Sequence, residues 1–555
     1  LNRDLLKRPF TQVILCEGSL LFAGAIRLLG LLLIGILGSS CGPPSPPDAG
    51  LASEDSHLVL RAFENPPTLD PAKAARTLDG HLACLLHAGL LRSSATGEIL
   101  GELAYPPEIL EEGKRLRFEF QQDYSFPSGR RLGAEDVAYS FSRVCRPETL
   151  SPTAWVFEDV LGFEEVRSGA SPRLAGIEVL SSTRFDLVLK RPSATFPARL
   201  TMPAARLVDR EEIERAGPLY GRNPRGLGAW ELVRWIDDSS LLLRPNELYP
   251  ARNSHLSALE FKIVPQDFTA AALFETQGID ILFPVPITQS EILPEKMEGR
   301  VEVQRTIQYN TYYLGFNCEK PPFEAPEIRR AIASVLGVDG LRKALYGQQA
   351  DTACGPVPPG LLGHVENCPE TVSEDIDSLQ GLSFEVWFVD TDASLSLAME
   401  GIQAELAQHG VSCRLRKTDA STYSRWRREG KFEAFLANWW ADYPDPDNFL
   451  QPLFHSASPA NYTRIKDERL DRMIEEAGET WDSQARGDLY RLAAERLNDL
   501  VPAVFLWHRG SLSLSQRGVS GFEPPRLFQG TLYLGVKKKS WTGGVPSGLP
   551  IGETH

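Results

Sequence analysis

The sequence lacks the spacings that mark the common enzymes. No H-E-x-x-H, no G-x-x-x-x-G-K-[ST] and no C-x-x-C occurs in its 555 residues, which removes the usual zinc-protease, phosphate-loop and dithiol readings. It also lacks a basic excess. Lys and Arg number 58 against 73 Asp and Glu, a formal charge of −15, whereas a nucleic-acid binder would show a basic face. No apolar run of membrane-spanning length follows the first forty residues. These absences favour a binding protein over an enzyme, with no cofactor, no metal and no nucleic acid expected.

What is present is ordinary globular composition. Hydrophobic residues make up 42% and charged residues 24%, ample for a sizeable core. At about 150 residues per domain, the length allows two to four domains.

The N-terminal segment reads as an export signal. Arg3, Lys7, Arg8 and Arg27 precede the apolar run from Leu28 to Leu37, which ends in Gly38-Ser39-Ser40-Cys41. A cysteine directly after small residues is the pattern of a bacterial lipoprotein signal, so lipid attachment is expected at Cys41. A plain secretory peptide with an incidental cysteine, or an uncleaved anchor, is the alternative. Residues 1–40 are assigned to the signal and 41–56, with Gly42-Pro43-Pro44-Ser45-Pro46-Pro47, to a tether. The signal holds four basic and two acidic side chains, so the remainder carries −17 and repels anionic surfaces.

Export implies an oxidising compartment, which permits disulfides. Beyond Cys41 the chain has Cys84, Cys145, Cys318, Cys354, Cys368 and Cys413, and six cysteines allow 15 pairings. Cys354 and Cys368 flank a loop rich in Pro and Gly and form the candidate pair. Separate buried thiols are the alternative.

Along the chain, alternation predicts strands at His57–Phe63, Leu116–Phe120, Trp230–Trp235, Ser240–Arg244 and Leu259–Val264. Helical spacing is seen at Leu78–Leu91 and from Ala134 to Phe141. The C-terminal half alternates in type: strand Leu382–Val389, helix Leu395–His409 closed by Gly410, strand Val411–Arg416, a helix around Tyr423–Arg428, and strand Phe432–Trp439. That order within about sixty residues predicts a parallel sheet with crossover helices. Residues 537–555, opening with Lys537-Lys538-Lys539, read as a disordered tail with solvated lysines.

Five segments, in order, resemble the family-5 extracellular solute-binding proteins, the oligopeptide- and dipeptide-binding components of bacterial importers. They are Thr68-Leu69-Asp70-Pro71 with Gly89-Leu90; Phe126-Pro127-Ser128-Gly129 leading into Ala134-Glu135-Asp136-Val137; Gly226-Leu227-Gly228-Ala229-Trp230; Tyr313-Leu314-Gly315-Phe316-Asn317 with Ile328-Arg329-Arg330-Ala331; and Trp440-Ala441-Asp442-Tyr443-Pro444-Asp445-Pro446. His87-Ala88-Gly89-Leu90 and Arg244-Pro245-Asn246 depart from the family's usual wording, marking a divergent member.

The resemblance implies an α/β, two-lobed periplasmic-binding-protein clamshell of the cluster C type, with an extra subdomain in the N-terminal lobe. Lobe I would comprise 57–92, the subdomain 93–200, then 201–316 and a return segment 509–536. Lobe II would be 317–508, with crossings near Asn317 and His508. A solute lies between the lobes, and closure requires that it bind the closed form better. The implied partners are a peptide or similar small solute, an ABC permease with its ATPase, and the membrane through the lipid. A monomer on the periplasmic face of a bacterial membrane is expected.

The resemblance also supplies site residues. Asp442 matches the acidic residue that pairs with a peptide's α-ammonium in relatives; its alternative role is a turn cap before Pro444. Trp439 matches a cleft tryptophan, or else a core residue of the third strand. Arg427 matches a basic residue that reaches the ligand in some relatives, or else is solvated. Arg76 and Thr77 fall where relatives pair an extended segment with the peptide backbone, the alternative being an exposed loop. Asp442, Asp445 and Asp447 do not fit a calcium loop, since two prolines interrupt them. A ligand-presenting sensor and an exported hydrolase are the competing functions, and the sequence offers no recognised catalytic motif for the latter.

Overall fold

The computed structural model describes residues 56–251, 255–368, 376–389 and 393–539. The signal, the lipidation candidate Cys41 and the tether through residue 55 lie outside them, as do residues 540–555. No helix among the described residues is long and apolar enough to cross a membrane.

The main sheet draws twelve strands from the whole chain: β1 (His57–Ala62), β2 (Trp230–Ile236), β3 (Ser240–Pro245), β4 (Ala258–Ile263), β5 (Ile281–Leu282), β6 (Val301–Ile307), β7 (Asn310–Phe316), β8 (Ala350–Thr352), β9 (Ser383–Phe388), β10 (Ser412–Lys417), β11 (Ala434–Trp440) and β12 (Ala503–Gln516). Their order is β10-β9-β11-β7-β12-β5-β1-β4-β3-β2, with β6 and β8 also pairing with β12. The 14-residue β12 joins the two halves. Residues 503–507 pair with β7, and residues 510–516 pair with β6. His508 sits midway, fully buried, with Nδ1 2.7 Å from the Asn310 carbonyl. Burial pushes this imidazole down to about 3, so it is neutral at any physiological pH.

The C-terminal half follows its sequence pattern closely. Strands β9 and β10 are parallel, as are β9 and β11, and β9 alternates between buried and more exposed positions. Helices α3 (Ala393–Gln408) and α4 (Ala420–Arg428) supply the crossovers. Gly410, at φ 76°, makes the left-handed turn after α3. Asp419 caps α4, its Oδ1 accepting from the backbone N–H groups of Ser421 and Thr422, both at 3.0 Å.

Each half has its own core. One cluster gathers side chains of β1, β3 and β4 with those of residues 78–207, including Phe118, Phe141 and Phe157. Others gather Leu314, Phe384, Val386, Ile402 and Trp507, and Tyr313, Phe435, Tyr490 and Phe505. Residues 108–188 add a separate four-stranded antiparallel sheet, with Arg115–Glu119 and Arg184–Val188 at its centre. Asp70 of the Thr-Leu-Asp-Pro segment receives two bonds, 2.9 and 2.6 Å, from Arg143.

Two expectations need correction. The helix predicted over Leu78–Leu91 ends at Leu86 and the chain enters a short strand at Leu91. The Gly226-Leu227-Gly228 segment crosses the helix end so closely that a Cβ on Gly228 would lie 2.2 Å from the Leu85 carbonyl oxygen. Residues 537–539 are not a free end. Lys537–Lys538 pairs with Val519–Ser520, and Lys538 Nζ sits 2.7 Å from the buried Asp280 carboxylate. A lone buried carboxylate is costly, and this lysine supplies its counter-charge.

Candidate functional site

Where the halves meet, a cavity of about 440 Å³ is walled by five distant stretches of chain, one of them Pro284 alone. Phe63, Glu64, Arg76 and Thr77 come from the segment after β1 and the start of α1 (Thr77–Leu86). Gln308 and Tyr309 join β6 to β7, Trp440 and Ala441 end β11, and Arg526, Leu527 and Gln529 belong to the segment after β12. Another cavity, of about 360 Å³, lies beside Cys354 and Cys368. Its lining comes from residues 333–368 and 498–505 alone, so it is confined to the C-terminal half.

The wall is held by local chemistry. At the start of α1, the Asp79 carboxylate accepts from the N–H groups of Ala75 (3.2 Å) and Arg76 (2.8 Å), satisfying helix-end donors. Arg76 and Thr77 are left facing solvent and cavity, and Arg76 Nη1 lies 3.2 Å from Glu64. In the same lining, Trp440 keeps 44% of its surface exposed, a large apolar face in a place where a ligand can cover it.

Asp442 follows directly. Its backbone N–H donates to Asn448 Oδ1 at 3.0 Å, and its carbonyl accepts from Gln529 Nε2 at 2.8 Å. Burial raises its carboxyl above the ordinary value, with a hydrogen bond to the Asn448 side chain partly offsetting this. Among the described residues no basic group forms an ion pair with it, so the half-buried carboxylate stands without a counter-charge.

The loop beyond is locked by buried ion pairs. Arg486 Nη2 reaches both Asp445 oxygens at 2.7 Å, Tyr443 donates its hydroxyl to Asp447 at 2.9 Å, and Arg199 spans Asp159 at 3.0 Å and Asp447 at 3.8 Å. Asp445 and Asp447 are thus committed to arginine and tyrosine, which leaves Asp442 as the free acid of the three. Tyr443 is buried in the N-terminal core, anchoring this C-terminal loop across the junction.

The remaining candidates divide. Trp439 is half-buried against Tyr309, Phe449 and Leu527, and its indole N–H donates to Asn448 Oδ1 at 3.1 Å. It therefore backs the cavity wall through Tyr309 and Leu527. Arg427 is not part of that wall. Its guanidinium stacks 4.1 Å from the Tyr462 ring centroid and 5.1 Å from that of Tyr423. Cys354 and Cys368 are bonded, with sulfurs 1.96 Å apart. Their loop reaches the site's edge, since the Pro359 carbonyl accepts from Arg526 at 2.8 Å. Sequence reasoning did not single out Tyr309, Asn448, Arg526 or Gln529. Only Asn448 had a local signal, standing six residues after Asp442 in the same motif.

A cleft of this kind, at the junction of two α/β halves, is that of a periplasmic binding protein, built to hold a solute and not to transform it. The chain belongs to the bacterial extracellular solute-binding proteins, family 5, whose pattern it matches over residues 98–461. It is 23% identical over 459 residues to the dipeptide-binding protein of Escherichia coli (strain K12), covering 77% of this chain and 84% of that one. It is 24% identical over 487 residues to the probable deoxycholate-binding periplasmic protein YgiS of the same strain, covering 82% and 89%. Its fold superposes on the unliganded open form of the periplasmic murein tripeptide-binding protein MppA with a TM-score of 0.77, at 21% identity, over 89% of this chain and all of that one.

Proposed function

We propose that the protein captures peptides or similar small solutes outside the cytoplasm and delivers them to an ABC importer. The observation that carries this reading is Asp442, a half-buried carboxylate without a partner cation, placed next to the exposed Trp440 and the cavity. An α-ammonium supplies the missing charge, and the indole covers an apolar side chain of any identity. Arg76 and Thr77 face the bound chain from the same lining. Relatives named for dipeptides and for di- and tripeptides support the solute class, while the deoxycholate-binding relative favours a bile-acid-like cargo as the second reading.

In this account lobe I holds residues 57–309 and the return segment 509–539, lobe II holds 310–508, and β12 and the 307–310 link act as hinge. Solute drives closure because only the closed form contacts it from both sides. A lipid on Cys41 keeps the protein at the membrane face where the permease waits.

Mass spectrometry of small molecules released on denaturing protein purified from its own host tests the reading. Free-amine peptides are the expected species. Release of steroid-like acids without peptides would transfer the assignment to the second reading.

A further inference from the structure

The formal charge of −15 conceals a local excess of the opposite sign. Between Val411 and Lys431 the chain holds seven basic residues against two acidic ones. These residues build β10, at one edge of the main sheet, and α4. Arg414, Arg416, Lys417, Arg425, Arg428 and Lys431 are exposed, whereas Arg427 folds back onto the Tyr462 and Tyr423 rings.

Strand alternation gathers these cations on one side of the sheet. Cys413 and Leu415 turn into the core shared with Phe384 and Val386, so Arg414 and Arg416 project from the other face. That face also carries Trp387 of β9, whose ring lies 5.2 Å from that of Trp426 in α4. The helix therefore lies on the same side as the two strand arginines. Carboxylates cover only part of the charge. Glu385 serves both Arg414 at 3.6 Å and Arg416 at 2.8 Å, Glu429 pairs with Lys431 at 2.7 Å, and Asp419 caps α4. No carboxylate among the described residues forms an ion pair with Arg425 or Arg428.

What such a face takes follows from what it lacks. None of the large apolar side chains exposed among the described residues belongs to 411–431, whereas a protein interface is centred on apolar or aromatic anchors. A layer of anionic headgroups asks only for cations within reach. The acidic remainder of the chain does not prevent contact. At physiological salt, fields decay over about 8 Å, so the charges that count are those on the approaching face.

We propose that this face of the C-terminal half docks on anionic phospholipid headgroups, with Arg425 and Arg428 supplying the unpaired charge. The contact fixes how the body is turned at a membrane surface and does not depend on the identity of the solute.

The test is sedimentation of the full chain with phosphatidylcholine vesicles and with vesicles of equal parts phosphatidylcholine and phosphatidylglycerol, at low and high salt. Binding is expected to rise with phosphatidylglycerol and fall with salt. Each cation near such a surface counts for about fivefold, so Arg425→Gln combined with Arg428→Gln should weaken that binding by about 25-fold. Both proteins carry the same N-terminal segment, so its own affinity for lipid cancels in the comparison. Lysine acetylation gives an independent readout. Phosphatidylglycerol vesicles should protect Lys431 and leave Lys343 reactive, since Lys343 is also exposed but belongs to a helix packed on the opposite face of the sheet. Equal binding to both vesicle types, or phosphatidylglycerol-dependent binding that the double variant retains, overturns the proposal. So does capture by immobilised poly-L-glutamate without vesicle binding, which would assign the face to an acidic protein. If the double variant does not fold, the acetylation pattern of the wild type still decides.

Discussion

Asn448 accepts the indole N–H of Trp439 on its side-chain oxygen at 3.1 Å, and the same oxygen accepts the backbone N–H of Asp442 at 3.0 Å. One buried amide therefore sets both the ring behind the cavity and the strand end that carries the free acid. Asn448→Ala strands two donors and frees the Asp442 backbone. A stability loss of about 1–3 kcal/mol is expected from the unsatisfied groups. Solute affinity is expected to fall by about tenfold through loss of orientation. Asn448→Asp retains an acceptor and should recover part of the affinity. Denaturant titration and calorimetry on the same samples measure both, and an unchanged affinity in Asn448→Ala removes the positioning role.

The Asp70–Arg143 pair ties the segment after β1 to helix α2 (Ala134–Cys145). Burial opposes ionisation of Asp70, but the hydrogen bonds and charge of Arg143 outweigh it and hold the carboxyl below its ordinary value. A depressed acid stabilises the fold fully above its unfolded pKa of about 3.9, and that contribution fades as pH falls through the folded value. Arg143→Met leaves Asp70 buried and alone, with an expected cost of about 3–5 kcal/mol at pH 7. The penalty should shrink as pH falls, first as the lone buried Asp70 of the variant takes up a proton above the usual carboxylate range, then as the wild-type pair is lost below it. A penalty independent of pH would assign the loss to packing.

Thiol chemistry gives a third check. Cys145 and Cys413 are buried, which pushes both thiols up to about 12, and burial raises Cys84 as well. Thiolate is the reactive form. Under native conditions an alkylating reagent should therefore leave these three unmodified, and peptide mapping without reduction should recover Cys354 and Cys368 on one linked species. Rapid native labelling of Cys413, or separate Cys354 and Cys368 peptides, contradicts the arrangement.

Much of the fold was legible because the C-terminal half obeys its periods. The apolar run Leu382–Val389 and the glycine at 410 locate strand and helix end from sequence alone, although the strand alternates between buried and more exposed positions where the run read as buried throughout. The site was legible only in part. Trp439, Trp440 and Asp442 stand in one motif, whereas Tyr309, Arg526 and Gln529 reach the cavity from segments whose local sequence has no binding pattern. Their role comes from the crossing of β12 and the pairing of distant strands, which periodicity does not encode. The lysines at 537–539 misled for the same reason. Three charges near a chain end read as solvated until Asp280, over 250 residues away, takes one of them.

Charge at position 442 also predicts a pH response. Burial holds the Asp442 carboxyl above its ordinary value in the empty protein, and only the ionised form attracts an ammonium. Affinity for a free-amine peptide should therefore decline on acidification at a higher pH than an exposed aspartate would give. N-acetyl peptides, which lack the ammonium, should show no such decline. A flat profile for the free-amine peptide is the contrary result.

The most direct measurement is calorimetric titration of wild type and Asp442→Asn with one free-amine peptide and its N-acetyl form at pH 7. The account predicts that Asp442→Asn weakens the free-amine peptide by about 10²-fold or more, as for loss of one partner of a buried pair. The N-acetyl form should bind both proteins weakly and alike. Equal affinity of wild type and Asp442→Asn for the free-amine peptide would contradict the ammonium clamp at the centre of this account.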